Sequence, residues 1–97
     1  MMNNKIENHN HEVLHYELLF FASPRSVFCR RIEKRLHEIL KETRVPIKLI
    51  KIDVTKAPEL IDKYNIVVCP TLIFRDFEIF GNIKLEDLEE LIKPYFP

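Results

Sequence analysis

This chain has few residues that turn tightly and few that can cross-link. It has one glycine in 97 residues, so most reversals of direction must fall to Pro, Asn and Asp. It has no tryptophan. Two cysteines, Cys29 and Cys69, are too few for a disulfide framework and read instead as chemical or structural thiols. Apolar runs such as LLFFA at residues 18–22 fall far short of the roughly 20 residues that a membrane helix needs. Neither sign of charge is in excess, with 15 Lys and Arg against 15 Asp and Glu. Bulk charge therefore gives no reason to expect nucleic acid or an anionic membrane as a partner. The first residues, MMNNKIENHNHEV, are polar and lack the apolar core of a secretory signal. A cytoplasmic protein is expected.

The patterning that is present suits one soluble domain with a single core, since 46% of residues are hydrophobic and 31% charged. Residues 1–12 read as a flexible polar tail, and residues 13–97 as the domain. YELLFFA at residues 16–22 is apolar at nearly every position, as a strand buried on both faces would be. Ser23-Pro24 breaks it, and Ser26 can cap the helix expected over residues 26–43. Cys29, Ile32, Leu36, Ile39 and Leu40 give that helix one apolar face. A strand is expected over residues 47–54 and a short helix over 57–64. Two strands, 71–74 and 78–80, form a hairpin around Arg75-Asp76-Phe77. A last helix over 85–95 would turn Leu85, Leu88, Leu91, Ile92 and Tyr95 to one side. The order β-α-β-α-β-β-α implies a parallel first pair with a right-handed crossover. The expected result is an α/β domain with a mixed four-stranded sheet and helices on both faces.

Two motifs stand out on this framework. FFASPRSVFCRR, residues 20–31, is a strand end, a Ser-Pro break and a basic helix with Cys29 in its first turn. Lys63-Tyr64-Asn65-Ile66-Val67-Val68-Cys69-Pro70-Thr71 joins a helix end to a strand. Asn65 tolerates the left-handed backbone that ends helices. Pro70 cannot donate to a ladder and belongs at the start of an edge-like strand.

With that element order, the chain resembles the thioredoxin superfamily, and most of all the small glutaredoxin-like thioredoxins of archaea. The first motif is similar to the family's Ser-Pro-x-Cys-x-x-Cys, with Ser26 at the nucleophilic cysteine and Cys29 at the resolving one. The second is similar to the family's Lys-Tyr-Gly-Ile-x-x-x-Pro-Thr. That likeness implies a cis bond before Pro70 and a position for Pro70 facing the thiol site. Gly81 corresponds to the family's glycine before the last helix. The likeness spans about residues 16–96. A more diffuse one, Pro-Thr-Leu after an apolar strand and no dithiol, is to circadian-clock thioredoxin-like proteins.

The departures matter as much as the matches. The family's attacking thiol sits at a helix N-terminus, where the dipole favours thiolate. Ser26 has a hydroxyl far too weakly acidic for that role, and it reads as a cap. Val27 replaces the family's proline between the cysteines. Two departures in one loop favour natural divergence over a single trapping mutation. Cys29 is either a small core residue or a thiol that still exchanges. Cys69 precedes the proline and, in the family's fold, would lie beside the thiol loop although it is 40 residues from Cys29. The two could bridge if their α-carbons come within roughly 7 Å, or Cys69 could simply fill an apolar slot. Nothing acidic in residues 18–21 could act as a buried proton acceptor, and the Gly-Gly of glutathione-binding members is absent around Gly81.

Two functions remain open. One is thiol–disulfide exchange on a protein disulfide, through Cys29 alone or a Cys29/Cys69 pair, as a weak or atypical oxidoreductase. The other is a non-catalytic module that binds a protein partner at Ser26, Val27, Phe28, Pro70 and Thr71. Val27 and Phe28 are apolar residues in a loop that should be exposed. No cofactor is expected. Two thiols are too few for a closed metal site, and His9, His11 and His15 read as a solvated segment. The basic face Arg30, Arg31, Lys34, Arg35, Lys41 and Arg44, set against acids of the last helix, could steer a partner.

Overall fold

The computed structural model describes residues 16–74, 77–81 and 83–96. The expected tail, the three histidines near it, and Arg75 and Asp76 of the hairpin lie outside the described residues.

Strand β1, Tyr16–Ala22, is the axis of the domain. Side chains alternate along a strand, so a strand apolar at nearly every position must be covered twice. Leu18, Phe20 and Ala22 enter one core with Cys29, Ile32, Leu36 and Ile39. Phe21 enters a second with Ile52 and Ile73, and Leu19 packs against it. Helix α1, Val27–Glu42, covers the first face. Helix α2, Pro58–Tyr64, covers the second through Leu60 and Tyr64. Tyr64 meets Phe21 edge-on at 5.8 Å, a geometry that suits the ring quadrupoles.

Strand β2, Ile47–Asp53, runs parallel to β1, pairing Tyr16 with Ile47 and Ala22 with Asp53. Strand β3, Thr71–Phe74, runs antiparallel on the other side, pairing Phe21 with Thr71. Strand β4, Phe77–Gly81, completes a mixed sheet of order β2-β1-β3-β4, with a register shift at Leu72/Ile73. Helix α3, Leu88–Ile92, lies beside α1 and sends Leu88 and Ile92 into the first core.

Three expectations need correction. Strand β2 stops at Asp53, not Val54, because the Asp53 carboxylate accepts from the Thr55 amide at 2.9 Å and its hydroxyl at 2.6 Å, closing a turn. Strand β3 is an inner strand, not an edge. Pro70 stands just before it, so no ladder donor is lost. The last helix is broken into a 3₁₀ turn at Leu85–Asp87, the short α3, and a 3₁₀ turn at Lys93–Tyr95. The tighter winding, three residues per turn, rotates the face away from a 3.6-residue register. Tyr95 is exposed beyond that turn, and Leu91, beside the buried Leu88 and Ile92 on α3, is exposed as well.

Arg35 of α1 reaches Glu89 of α3 at 2.6 Å. Lys93 first, and then Arg35, hold the Glu89 carboxyl below its ordinary value. This support is present above the ordinary carboxylate range and fades as pH falls through the lowered value.

The core location sets a stability prediction. Leu36→Ala empties a fully buried position and is expected to cost about 2–5 kcal/mol in urea unfolding. Leu91→Ala should stay within about 0.5 kcal/mol, as surface substitutions do. Similar losses at both positions would contradict this division of the last helix.

Candidate functional site

The pairing of β1 brings three chain ends to one edge of the sheet. Residues 23–26 leave from Ala22. The turn after β2 begins beside them, and the Val54 amide donates to the Ala22 carbonyl at 3.1 Å. Residues 66–70 arrive at Thr71, opposite Phe21.

Ser26 is the N-cap of α1, with extended backbone at φ −85° and ψ 118°. The Cys29 amide donates to its Oγ at 3.1 Å, which satisfies one of the otherwise unpaired donors of the first turn. The Ser26 amide donates to the Ser23 carbonyl and the Arg30 amide to the Ser26 carbonyl, each at 3.2 Å. Among the described residues no base accepts a hydrogen bond from this hydroxyl, so it is engaged as a cap.

Cys29 is the first inward residue of α1 and only 2% exposed. Cys69 is exposed, and both thiols are free. The Cys69–Pro70 bond is cis. The protein around Cys69 withholds enough hydration to push its thiol above the ordinary value, and repulsion from Cys29 adds to that rise. Cys69 stands two residues before Thr71, which pairs with Phe21, so it reaches the same end of the sheet as the start of α1.

The apolar surface differs from the expected one. Val27 and Phe28 are exposed as anticipated. Pro70 and Thr71, expected to line the surface, are buried instead. The Thr71 hydroxyl turns inward and donates to the Val68 carbonyl at 2.6 Å. Thr71 therefore shapes the loop. The surface positions go to Val67, 86% exposed, and Val68, 42% exposed, which sequence reasoning missed. The available signal was the apolar run Ile66-Val67-Val68 ahead of Cys69-Pro70. Of that run Ile66 packs inward against the second core, leaving the two valines outside.

Asn65 ends α2 with φ 54° and ψ 49°, and its amide points back at the Ile61 and Asp62 carbonyls. This left-handed residue redirects the chain toward Cys69. Among the described residues no group of three or more His, Cys, Asp or Glu is placed to hold a metal ion, and no helix is long and apolar enough to cross a membrane.

Thiol labelling should separate the cysteines. Native protein is expected to react with iodoacetamide at Cys69, and Cys29 only after denaturation. Because thiolate is the reactive form, the Cys69 rate should rise with pH to a midpoint above that of a free thiol. A midpoint below it would contradict the environment described. Ser26→Ala should lower stability by about 0.5–2 kcal/mol through the lost cap, measured by urea unfolding.

Comparison with known proteins agrees with this architecture. The thioredoxin family model matches residues 2–93. The chain is 33% identical to a thioredoxin of Listeria monocytogenes over 72 residues, covering 69% of this chain and 70% of that one. The solution structure of oxidised thioredoxin from Plasmodium falciparum superposes with a TM-score of 0.69 at 25% identity, covering 82% of this chain and 80% of the other. Thioredoxin 1 of Thermosipho africanus gives 0.61 at 19% identity, over 81% and 92%. The chain belongs to the thioredoxin family.

Proposed function

We propose that the protein exchanges thiols with protein disulfides through Cys69 as the attacking thiol and Cys29 as the resolving one. The observation that carries this reading is the contrast between them. Cys69 is exposed and Cys29 is buried, and both lie at one end of the sheet, Cys29 in the first turn of α1 and Cys69 just before Thr71, which pairs with Phe21. A macromolecular disulfide can meet the first and not the second. This departs from monothiol exchange at Cys29, because a sulfur enclosed in the core cannot approach a protein substrate.

In the proposed cycle the Cys69 thiolate attacks one sulfur of the substrate disulfide. A mixed disulfide forms, and the second substrate sulfur leaves as thiolate, taking a proton from water. Cys29, deprotonated, then attacks the Cys69 sulfur. A Cys29–Cys69 disulfide forms and the first substrate sulfur is released. The substrate disulfide gains two electrons and the protein dithiol loses two. A dithiol reductant, dithiothreitol in an assay, returns the protein to its starting state. The raised pKa of Cys69 makes the first step slow at neutral pH. Ser26 takes no part beyond capping α1. The finer likeness to small archaeal glutaredoxin-like members rests on the SPRSVFC spacing and the Lys63–Thr71 motif alone.

A second reading is favoured by a specific observation. Val27, Phe28, Val67 and Val68 are exposed around a thiol that ionises reluctantly. Such a surface suits a module that holds a protein partner without turnover.

Three variants distinguish these readings in an insulin-reduction assay with dithiothreitol. Cys69→Ser should fall to the uncatalysed background. Cys29→Ala should accumulate a mixed disulfide at Cys69, visible as added mass. Ser26→Cys should accelerate the reaction, because it places a thiol at the helix N-terminus above Cys29. An unchanged rate in Cys69→Ser would end the exchange proposal. Wild type at background, with partner capture lost in Val67→Asp/Phe28→Asp, would leave the binding module.

A further inference from the structure

The exchange reading leaves one feature of α1 unused. An open groove of about 510 Å³ runs along the helix surface, lined by Arg30, Glu33, Lys34, His37, Glu38 and Lys41. Its charges are not equivalent. Glu33 is held by Lys51 at 2.9 Å and Glu38 by Arg35 at 3.1 Å. His37 lies 3.8 Å from Glu33. Among the described residues Arg30, Lys34 and Lys41 form no ion pair. The carboxylates of the groove are tied up, and Lys34 and Lys41 have no ionic partner among the described residues, while Arg30 bonds only a backbone carbonyl.

The first residue of the groove belongs to the first turn of α1. Arg30 follows Cys29 directly, and its Nη1 donates to the Pro24 carbonyl of the loop before the helix at 3.2 Å. Residues 23–31 carry Arg25, Arg30 and Arg31 with no carboxylate, and residues 65–71 carry no charge at all. Asp53, opposite Ala22, is occupied by Thr55, with Lys51 and Lys56 close by.

We propose that this groove receives the acidic flank of a protein substrate whose disulfide is presented to Cys69. The proposal rests on the exchange reading of that thiol. The apolar residues Val27, Phe28, Val67 and Val68 would take the side chains next to the substrate cysteine. Arg30, Lys34 and Lys41 would take carboxylates further along. At 1.5 Å per residue, Arg30 to Lys41 spans about 16 Å of helix, the reach of about five extended residues. Lys34 and Lys41 are about 10 Å apart, matching acidic side chains about three residues apart in such a segment. A densely charged polyanion such as nucleic acid would have to run past Glu33 and Glu38 as well. A peptide can place uncharged residues there.

The test uses the full chain and three peptides that share an apolar stretch around one cysteine. Their flanks carry spaced Glu, Gln or Lys. Each cysteine is supplied as a mixed disulfide with thionitrobenzoate. The Cys69 thiolate forms the new S–S bond, the peptide–thionitrobenzoate bond breaks, and thionitrobenzoate leaves with the electron pair. The Glu peptide should react about tenfold faster than the Gln peptide at low salt, and the Lys peptide slower. The advantage should vanish near 1 M salt, where screening acts over about 3 Å. In Lys34→Glu/Lys41→Glu the Glu advantage should be lost while the Gln peptide reacts as before. A labelled Glu peptide with serine in place of its cysteine reads the groove without exchange. By fluorescence anisotropy it should bind wild type and be lost from the double variant. A Gln peptide that fails to react with wild type would fault the exchange reading, and the anisotropy result would still decide the groove. Equal rates and equal anisotropy for the three flanks would overturn the proposal. So would tighter binding of a single-stranded oligodeoxynucleotide of the same charge.

Discussion

Strand β1 is hydrogen-bonded on both edges and buried on both faces, and the position of every reactive group follows from that. Its register pairs Ala22 with Asp53 and Phe21 with Thr71. The loop before α1, the turn after β2 and the segment before β3 therefore emerge together. Slipping either pairing by one residue would turn Phe20 and Phe21 to the wrong cores. The site is thus held by the core, although its chemistry lies in loops.

The first turn of α1 separates what the scaffold needs from what thiol chemistry needs. The helix needs an acceptor at its N-cap, and the Ser26 hydroxyl supplies one to the Cys29 amide. Serine is among the preferred caps, so helix initiation needs no thiol there. A hydroxyl cannot become a nucleophile near neutral pH as a thiol can. The two thiols of the chain stand differently. Cys29 keeps its inward position because it is the first member of the stripe continued by Ile32, Leu36 and Ile39. Cys69 stays at the surface because Thr71 and Ile66 turn inward on either side of it.

Much of the fold was legible because it rests on periodicities. The near-continuous apolar run of β1, the stripe of α1 and the parallel crossover can be read from residues 16–54 alone. The left-handed Asn65 was legible for a local reason, as asparagine tolerates that region. The last helix was misread at Tyr95 because a 3.6-residue stripe cannot reveal where winding tightens to 3₁₀, and Leu91 was assigned inward with it. In the site, Ser26 as a cap and the exposure of Val27 and Phe28 follow from local position. The burial of Pro70 and Thr71 and the exposure of Val67 and Val68 do not. They depend on which way the segment crosses the end of the sheet, and that is decided by Thr71 bonding back to Val68.

The raised pKa of Cys69 links the two functional readings. A thiol reluctant to ionise attacks slowly near neutral pH, because little thiolate is present. Once ionised it is intrinsically the stronger nucleophile, and in a mixed disulfide it is the poorer leaving group. A substrate joined to Cys69 would therefore be released slowly by any thiol attacking the substrate's own sulfur. In the proposed cycle Cys29, attacking the Cys69 sulfur from inside, would expel the substrate's thiolate instead and escape that penalty. How freely the buried Cys29 reaches outward would then set the lifetime of the captured partner. Easy access would make an exchange catalyst, and rare access a binding module that holds its partner covalently. In the proposed cycle the packing of Cys29 in the first core with Ile32 would be a kinetic determinant as well as a structural one.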